Sequence, residues 1–273
     1  MVTASALPKV PRIQALGRAS AIIDVIAAGG EEGVGLSEIS RATTLNKTTA
    51  FNLIASLVTL GFLERDEHSK RYRLGLRNLE LGRIVQQRLH ISHLARPVLA
   101  GLCRQTNETV NLGLPDLVDL LVVDSFQGSQ LLHATAYAGW RSMYHCAALG
   151  KAFMATWDVP MRRTVYRLGG LPRQTLRTIP DIATLEAQLA QFRAQGYAID
   201  VGENEDGVNG IATSIVNGLG EVAAAISVCG PSHRLTKEVM EQIATDVIAA
   251  ADSIAAAIGS GERPDNRDSR ERQ

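Results

Sequence analysis

A chain of 273 residues, 45% of them hydrophobic, can bury the core of one large domain or of two unequal ones. Lysine plus arginine and aspartate plus glutamate number 28 each, so a zero formal net charge excludes a chain that coats nucleic acid with its whole surface, yet leaves room for one local basic face. Three scattered cysteines, Cys103, Cys146 and Cys229, form neither a disulfide framework nor a paired metal knuckle, and are expected as reduced, buried thiols.

Residues 1–12 carry Pro8 and Pro11 and are expected as a flexible arm, without the basic-then-apolar-then-small order of a signal peptide. From residue 13 a helical period begins, with Leu16, Ala19, Ile23 and Ile26 at steps of three and four until Gly29-Gly30. LSEISRAT predicts a second, short helix with Leu36, Ile39 and Ala42 on its apolar side and Ser37 or a neighbour as its cap. After Thr44-Leu45 a third helix opens at Asn46 and is expected to bury Ala50, Leu53, Leu57 and Leu60 before Gly61. Three helices joined by tight connectors make a helix-turn-helix unit. The stretches 62–66 and 71–74 then read as two short strands turned at 67–70, a wing that completes a domain over 13–75.

A linker helix is expected over 76–90, where Leu76, Leu79, Ile84 and Val85 are available to cover a partner. A second domain, 91–258, opens with a helix from about Ser92 to Gln105, with Pro97 near its first turns. NLGLPD, DLLVVDSF and LLHATAYAG read as consecutive strands, ALGKAFMATW as a helix after the turn at His145-Cys146, and 160–168 and 181–195 as helices. IATSIVNGLGEVAAAISVCG reads as a hairpin turned at Asn217-Gly218 or Leu219-Gly220. A long amphipathic helix from Thr236 to about Ala257 precedes a polar, disordered tail at 259–273. Successive strands without intervening helices predict an α+β domain rather than a doubly wound sheet. No apolar run approaches about 18 residues; a cytoplasmic protein without a membrane partner is expected.

On the third helix, Thr48, Phe51, Asn52, Ala55 and Thr59 lie on or beside the side opposite the apolar stripe, so their exposure needs a reason. Asn46, Lys47, Thr48 and Thr49 sit where side chains and free N–H groups of a first turn reach phosphates. Asn52 is short enough to bond an adenine edge in a bidentate way, and Phe51 and threonine methyls suit thymine methyls or sugars. Lys70, Arg71 and Arg73 give the wing a cationic face for backbone or minor groove, although ordinary surface charge explains each equally well. Arg12 and Arg18 are further phosphate candidates beside the first helix.

The sequence at this point resembles the isocitrate lyase regulator (IclR) family of bacterial transcription factors, from about Ile13 to about Ala257. The resemblance rests on ALGRASAIIDVI, LSEISRATTLNKTTAFNLI and GFLERD with YRLG in the first domain. In the second it rests on HCAALGKAFMA, GYAIDVGENEDGVNGIA and AAAISVCGPSHRLT. Such regulators carry Lys-Ser-Thr at the start of the recognition helix, here Lys47-Thr48-Thr49, and often Arg before a Leu-Leu pair, where this chain has Asn52 before Leu53-Ile54. The resemblance implies a winged helix-turn-helix joined by the linker helix to a C-terminal, GAF-like effector-binding domain. It also implies a homodimer pairing into a dimer of dimers, on double-stranded operators of inverted-repeat character.

Family members hold small organic acids or aromatic compounds in the second domain. By this resemblance Ala147, Ala148 and Leu149 cradle a carboxylate on backbone N–H groups, with Asp200, Gly210, Ser227 and Cys229 as further wall. Residues 227 and 229 share a strand face. Many relatives carry Cys where this chain has Gly210 and Ser where it has Cys229, which moves the expected ligand toward a larger, aromatic acid or a neutral compound. The bland alternative, that Ser227 and Cys229 are satisfied strand residues, stays open. His133 and His145 fit no compact ligand motif, and no metal or other cofactor is expected. Cys146 beside His145 in sequence does not make a nucleophile and base, and no phosphate loop, serine elbow or carboxylate pair stands out, so an enzyme is not expected. A ligand-independent DNA-binding dimer stays open; bulky residues filling the space beside Ala148, Gly210 and Ser227 would favour it.

Overall fold

A computed structural model describes residues 13–88, 90–116 and 119–260. The arm with Arg12 and the tail beyond residue 260 lie outside the described residues. The chain divides into two compact units, one up to residue 89 and one from His90 onward.

In the first unit α1 (Gln14–Ala28), α2 (Leu36–Ala42) and α3 (Lys47–Thr59) surround Ile22, Ile26, Ile39, Ile54 and Leu57. Leu63 of β1 (Leu63–Arg65) and Tyr72 of β2 (Tyr72–Leu74) close this core from the wing. The expected stripes hold at Ile26, Ala50 and Leu57, but at one position in each helix the neighbouring residue is buried instead. α1 buries Ile22 and Ile26, with Ile23 only half-buried and Leu16 exposed; α3 buries Ala50, Ile54 and Leu57, with Leu53 half-buried and Leu60 exposed. Adjacent Ile22-Ile23 and Leu53-Ile54 pairs both satisfy a three-four spacing, and the wing's position selects the second phase in α3 and the first in α1. Ala42 is exposed rather than apolar-facing. The α2 cap is Gly35, whose N–H donates to Glu38 Oε2 at 3.1 Å, and not Ser37.

Val34 and Tyr72 exchange N–H···O bonds of 2.9 Å, which adds the α1–α2 connector to the wing. This close approach requires Gly33: its φ is +70°, and a Cβ there would lie 2.7 Å from the Tyr72 carbonyl oxygen. α4 (Arg77–Arg88) follows the wing, with Leu76, Leu79, Ile84 and Val85 all exposed.

The second unit is a six-stranded antiparallel sheet in the order β5-β4-β3-β8-β7-β6, formed by β3 (Thr109–Asp116), β4 (Asp119–Phe126), β5 (Arg141–Met143), β6 (Ala198–Val201), β7 (Val208–Val216) and β8 (Val222–Pro231). α5 (His90–Thr106) and α9 (Lys237–Ser260) pack together and on the sheet; α6 (Ala148–Thr156) packs on β6, β7 and β8, and α8 (Ile182–Gln195) on α6, with α7 (Val159–Gly169) between them in sequence. Asp158 and Asp181 cap α7 and α8 by accepting from Met161 N–H and Thr184 N–H. α5 begins at His90, so Pro97 lies inside it and not near its first turn. α9 continues through Ser260, which makes residues 259 and 260 helix rather than tail. By length and composition α9 could cross a membrane, but it packs on β7 and α5 and buries Met240, Val247 and Ile254 completely.

The sheet departs from expectation in two places. LLHATAYAG is not a strand: residues 127–140 form an irregular strap, with Thr109 Oγ1 donating to Ala134 O at 2.8 Å, Arg234 Nη2 to Leu132 O at 2.7 Å, and Val122 N–H of β4 to Trp140 O at 2.8 Å. Alternating burial mimics a strand here because Ala134 and Ala136 face inward while Thr135 and Tyr137 do not. β6, by contrast, is a strand that the pattern hid, because only four residues follow the α8 cap at Gly196.

The turn between α2 and α3 carries strain. Thr44 has φ 55°, a left-handed conformation in which a β-branched side chain crowds its own carbonyl, and its hydroxyl donates to Thr43 O at 2.7 Å. Thr44→Gly should therefore stabilise the first unit by ~1 kcal/mol, raising its thermal transition by about 4–8 °C, whereas Thr44→Ala should not. Differential scanning calorimetry of the two variants checks this; a glycine variant that melts lower than the wild type contradicts it.

Candidate functional sites: a nucleic-acid interface and an enclosed cavity

The helix-turn-helix face is built by α3. Asn46 ends the connector and accepts Thr49 N–H on Oδ1 at 2.8 Å, which sets where the helix starts. With Ala50, Ile54 and Leu57 inward, Lys47, Thr48, Phe51, Asn52, Ala55 and Thr59 are left exposed, and Thr49 is half-buried at the rim. Phe51 is 50% exposed, an unfavourable position for a ring unless something apolar covers it. Lys47 occupies the first turn, which holds no acidic residue, so its charge opposes the helix dipole in the free protein and suits a phosphate placed at that end. Arg18 is half-buried on α1.

The wing is less free than its composition suggests, because all three of its expected cations have carboxylate neighbours. Arg71 donates from Nη2 to Glu38 Oε2 at 2.8 Å and from Nε to Gly33 O at 3.1 Å, tying β2 to α2 and to the connector. The Gly35 N–H and the Arg71 guanidinium together hold the Glu38 carboxyl below its ordinary range. Lys70 Nζ lies 3.0 Å from Glu67 and Arg73 3.8 Å from Asp66. Asp66 itself accepts the His68 and Ser69 N–H groups, which shape the wing tip and lower its carboxyl. Arg71 thus orients the wing, Lys70 pairs at the exposed wing tip, and Arg73 is half-buried beside Asp66.

In the second unit one cavity of about 80 Å³ brings together all seven residues expected to contact an effector: Ala147, Ala148, Leu149, Asp200, Gly210, Ser227 and Cys229. Sheet register explains the convergence. Asp200 pairs with Gly210, Gly210 with Cys229, and Ser227 with both Ala212 and Asn111, and directly opposed residues share a face. Over that face lies the start of α6, where Ala147 is the N-cap without a side-chain hydrogen bond and no acidic residue occupies the first turn. Ala148, Leu149 and Gly150 are buried, so the start of α6 beside the cavity lacks a side-chain cap. A Cβ at Gly210 would meet Ala148 Cβ at 3.4 Å and Cys229 Cβ at 3.6 Å; the glycine widens the cavity by about one methyl group.

Sequence reasoning missed several lining residues. Asn111 joins the floor from β3, accepting Ser125 Oγ at 2.8 Å and donating to Cys229 Sγ at 3.3 Å; a lone amide in an otherwise apolar strand was its signal. Ala134, Ala136 and Trp140 come from the strap, which the strand assignment had placed in the sheet. Also missed was the anchor behind the wall. Lys151, on the next turn of α6, is wholly buried, and its Nζ donates to Glu203 Oε1 at 2.6 Å. Glu203 in turn donates its backbone N–H to Asp200 Oδ1 at 2.7 Å, and its carbonyl accepts Thr178 Oγ1 at 2.7 Å.

Burial raises the Asp200 carboxyl to about 7, opposed only in part by the Lys151 ammonium and the Glu203 N–H. Burial also raises Glu203, against the pull of Lys151. Loss of hydration pushes the Cys146 and Cys229 thiols up to about 12. His145, held toward its neutral form by burial, directs Nε2 to Pro172 O at 3.0 Å, whereas Cys146 Sγ donates to Asn204 Oδ1 at 3.4 Å, so the two neighbours are turned to separate partners. His133 meets Gln130 O, and no group of three or more metal-ligating side chains is assembled among the described residues.

A three-helix winged head and a separate sheet unit with a mainly apolar cavity carrying a few polar groups define the class of DNA-binding transcriptional regulators. More narrowly, the chain belongs to the IclR family: residues 15–67 match the IclR helix-turn-helix domain and residues 84–256 the bacterial transcriptional regulator IclR C-terminal domain. The HTH-type transcriptional regulator BhcR of Paracoccus denitrificans is 32% identical over 239 residues, 88% of this chain and 85% of that protein. The crystal structure of the Thermotoga maritima IclR superposes with a TM-score of 0.71 at 27% identity, over 90% of this chain and 99% of that one. An IclR homologue from Microbacterium hydrocarbonoxydans, solved with 4-hydroxybenzoate, shares the fold with a TM-score of 0.75 at 23% identity, over 90% of this chain and all of that one.

Lys151→Met should cost the second unit about 3–5 kcal/mol, because it leaves the Glu203 carboxylate buried without its cation. Adding Glu203→Gln should recover most of that loss. Urea denaturation of the single and double variants reads both numbers; a double variant no more stable than Lys151→Met contradicts the pairing.

Proposed function

We propose that this regulator reads an inverted-repeat operator as a homodimer, assembling further as a dimer of dimers, and that a small organic effector bound in the second unit sets its affinity for DNA. The single observation that carries the effector reading is the partly open cavity itself. It joins an uncapped helix start to a polar sheet floor, in place of the bulky filling that a ligand-independent dimer would show. A carboxylate on the Ala148 and Leu149 amides, with a hydroxyl or carbonyl toward Asn111, Ser227 and Asp200, pairs both ends of such a ligand with polar groups of the lining. The fold relative that holds 4-hydroxybenzoate supports a compound with those two ends.

On DNA, Lys47, Thr48 and Thr49 would contact phosphates with Asn46 and Arg18 beside them, while Asn52 and Phe51 would meet base edges in the major groove. Lys70, Arg71 and Arg73 would lay the wing on the backbone, Arg71 chiefly by holding it in place. Exposed Leu79, Ile84 and Val85 offer an apolar face for the second copy, and the 76–90 segment would carry the effector's influence to the heads. The reading is of a cytoplasmic regulator rather than an enzyme, in keeping with His145 and Cys146 turning to separate partners.

Two substitutions separate the proposed contacts. With a duplex selected by the wild-type protein from a random pool, Asn52→Ala should weaken binding by about 1–3 kcal/mol and relax sequence preference at one position in each half-site. Lys47→Ala should instead weaken all sequences alike and reduce the salt dependence by about one ion per head. Fluorescence anisotropy across a salt series measures both; unchanged affinity in both variants would remove α3 from the interface.

A further inference from the structure

The cavity places two acids in one small space if its ligand is a carboxylate. Asp200 projects into it from β6, is 5% exposed, and uses Oδ1 to accept the Glu203 N–H at 2.7 Å and the Asn204 N–H at 3.4 Å. Among the described residues no cation forms an ion pair with Asp200: the nearby ammonium, Lys151 on α6, is engaged by Glu203 Oε1 at 2.6 Å. The other groups around it do not supply positive charge. Glu203 and Glu205 on the following loop add negative charge, Cys229 on β8 and Cys146 ahead of α6 are protonated thiols, and His145 is held toward neutrality. Two carboxylates confined together without a shared cation do not both stay ionised.

We propose that Asp200 meets the ligand as a neutral carboxylic acid that donates its O–H, so that a carboxylate entering a cavity whose Asp200 is ionised brings one proton with it from solvent. The inference rests on the reading of this cavity as the effector site. The overall step is balanced: ligand carboxylate, Asp200 carboxylate and one proton give a bound complex carrying a single negative charge, which lies against the α6 amides. Burial, which already raises the free Asp200 carboxyl to about 7, means that in neutral solution the protein is near the point where this proton is half-loaded. Response to effector is then also response to pH: the same ligand concentration fills more cavities as pH falls. A compound with a second carboxylate pointing toward Asp200 is rejected, which makes Asp200 a specificity-determining residue as well as a proton acceptor.

The test is calorimetric titration of the full chain with pyruvate and with 4-hydroxybenzoate at about pH 6 and about pH 8, each in two buffers of different ionisation enthalpy. The expected result is uptake of about one proton per bound carboxylate at the higher pH, with affinity falling toward about tenfold per pH unit there. Asp200→Asn mimics the protonated acid, since its amide oxygen still accepts the Glu203 N–H while its N–H₂ faces the ligand. It should bind with no proton uptake and with nearly equal affinity at both pH values. Wild-type binding without proton uptake at the higher pH overturns the inference alone, as does an Asp200→Asn protein that keeps the wild-type pH dependence. Failure of both carboxylates to bind at either pH overturns the carboxylate-effector reading and this inference with it.

Discussion

The buried ion pair between Lys151 and Glu203 is the contact on which the second unit's architecture turns. α6 is inside the protein along nearly its whole length, so a lysine on it has no route to water and must meet a carboxylate. The partner is delivered by the loop after β6, and that loop is held in turn by threonine hydroxyls, Thr175 donating to Gly202 O and Thr178 to Glu203 O. One consequence is positional: the α6 start and the Asp200 wall are fixed against each other by a contact that is not itself part of the cavity. A second is electrostatic. With its only nearby ammonium already used, Asp200 is left in an apolar setting without a countercharge of its own, and its proton affinity rises.

The first unit solves a related problem with the opposite exposure. Its functional face must stay open, so rigidity comes from behind: Gly33 permits the Val34–Tyr72 exchange, and Arg71 clamps the wing to Glu38. A residue type that reads as a DNA contact is here partly a structural strut. What stays open on that face is Lys47, whose charge opposes the α3 dipole, and the ring of Phe51. Both are unfavourable in the free protein and favourable against a duplex, which is the pattern expected where stability has been traded for recognition.

Much of this was legible in the sequence, for identifiable reasons. Helix existence followed from apolar spacing and from Gly29-Gly30 and Gly61; of the seven cavity residues, Ser227 and Cys229 followed from strand alternation, while the other five were implied by the family resemblance. The phase of α1 and α3 was not legible, since neighbouring branched residues satisfy the same periodicity and only tertiary packing separates Ile22 from Ile23 or Ile54 from Leu53. The strap at 127–140 imitates a strand in its alternation while its Leu132 and Ala134 carbonyls accept from side chains distant in sequence. Lys151 and Glu203 lie 52 residues apart, and a buried charge pair leaves no periodic trace, so the contact that organises the cavity was invisible until the chain was folded.

The central claim is that occupancy of the cavity changes how the winged heads hold DNA. It is tested most directly by the affinity of the full chain for its selected duplex, with and without a carboxylate whose occupancy is confirmed by calorimetry in the same buffer. The account predicts a change of at least about fivefold in affinity, in either direction, as expected for a coupling free energy between two sites. Equal affinities with the cavity demonstrably filled would contradict it.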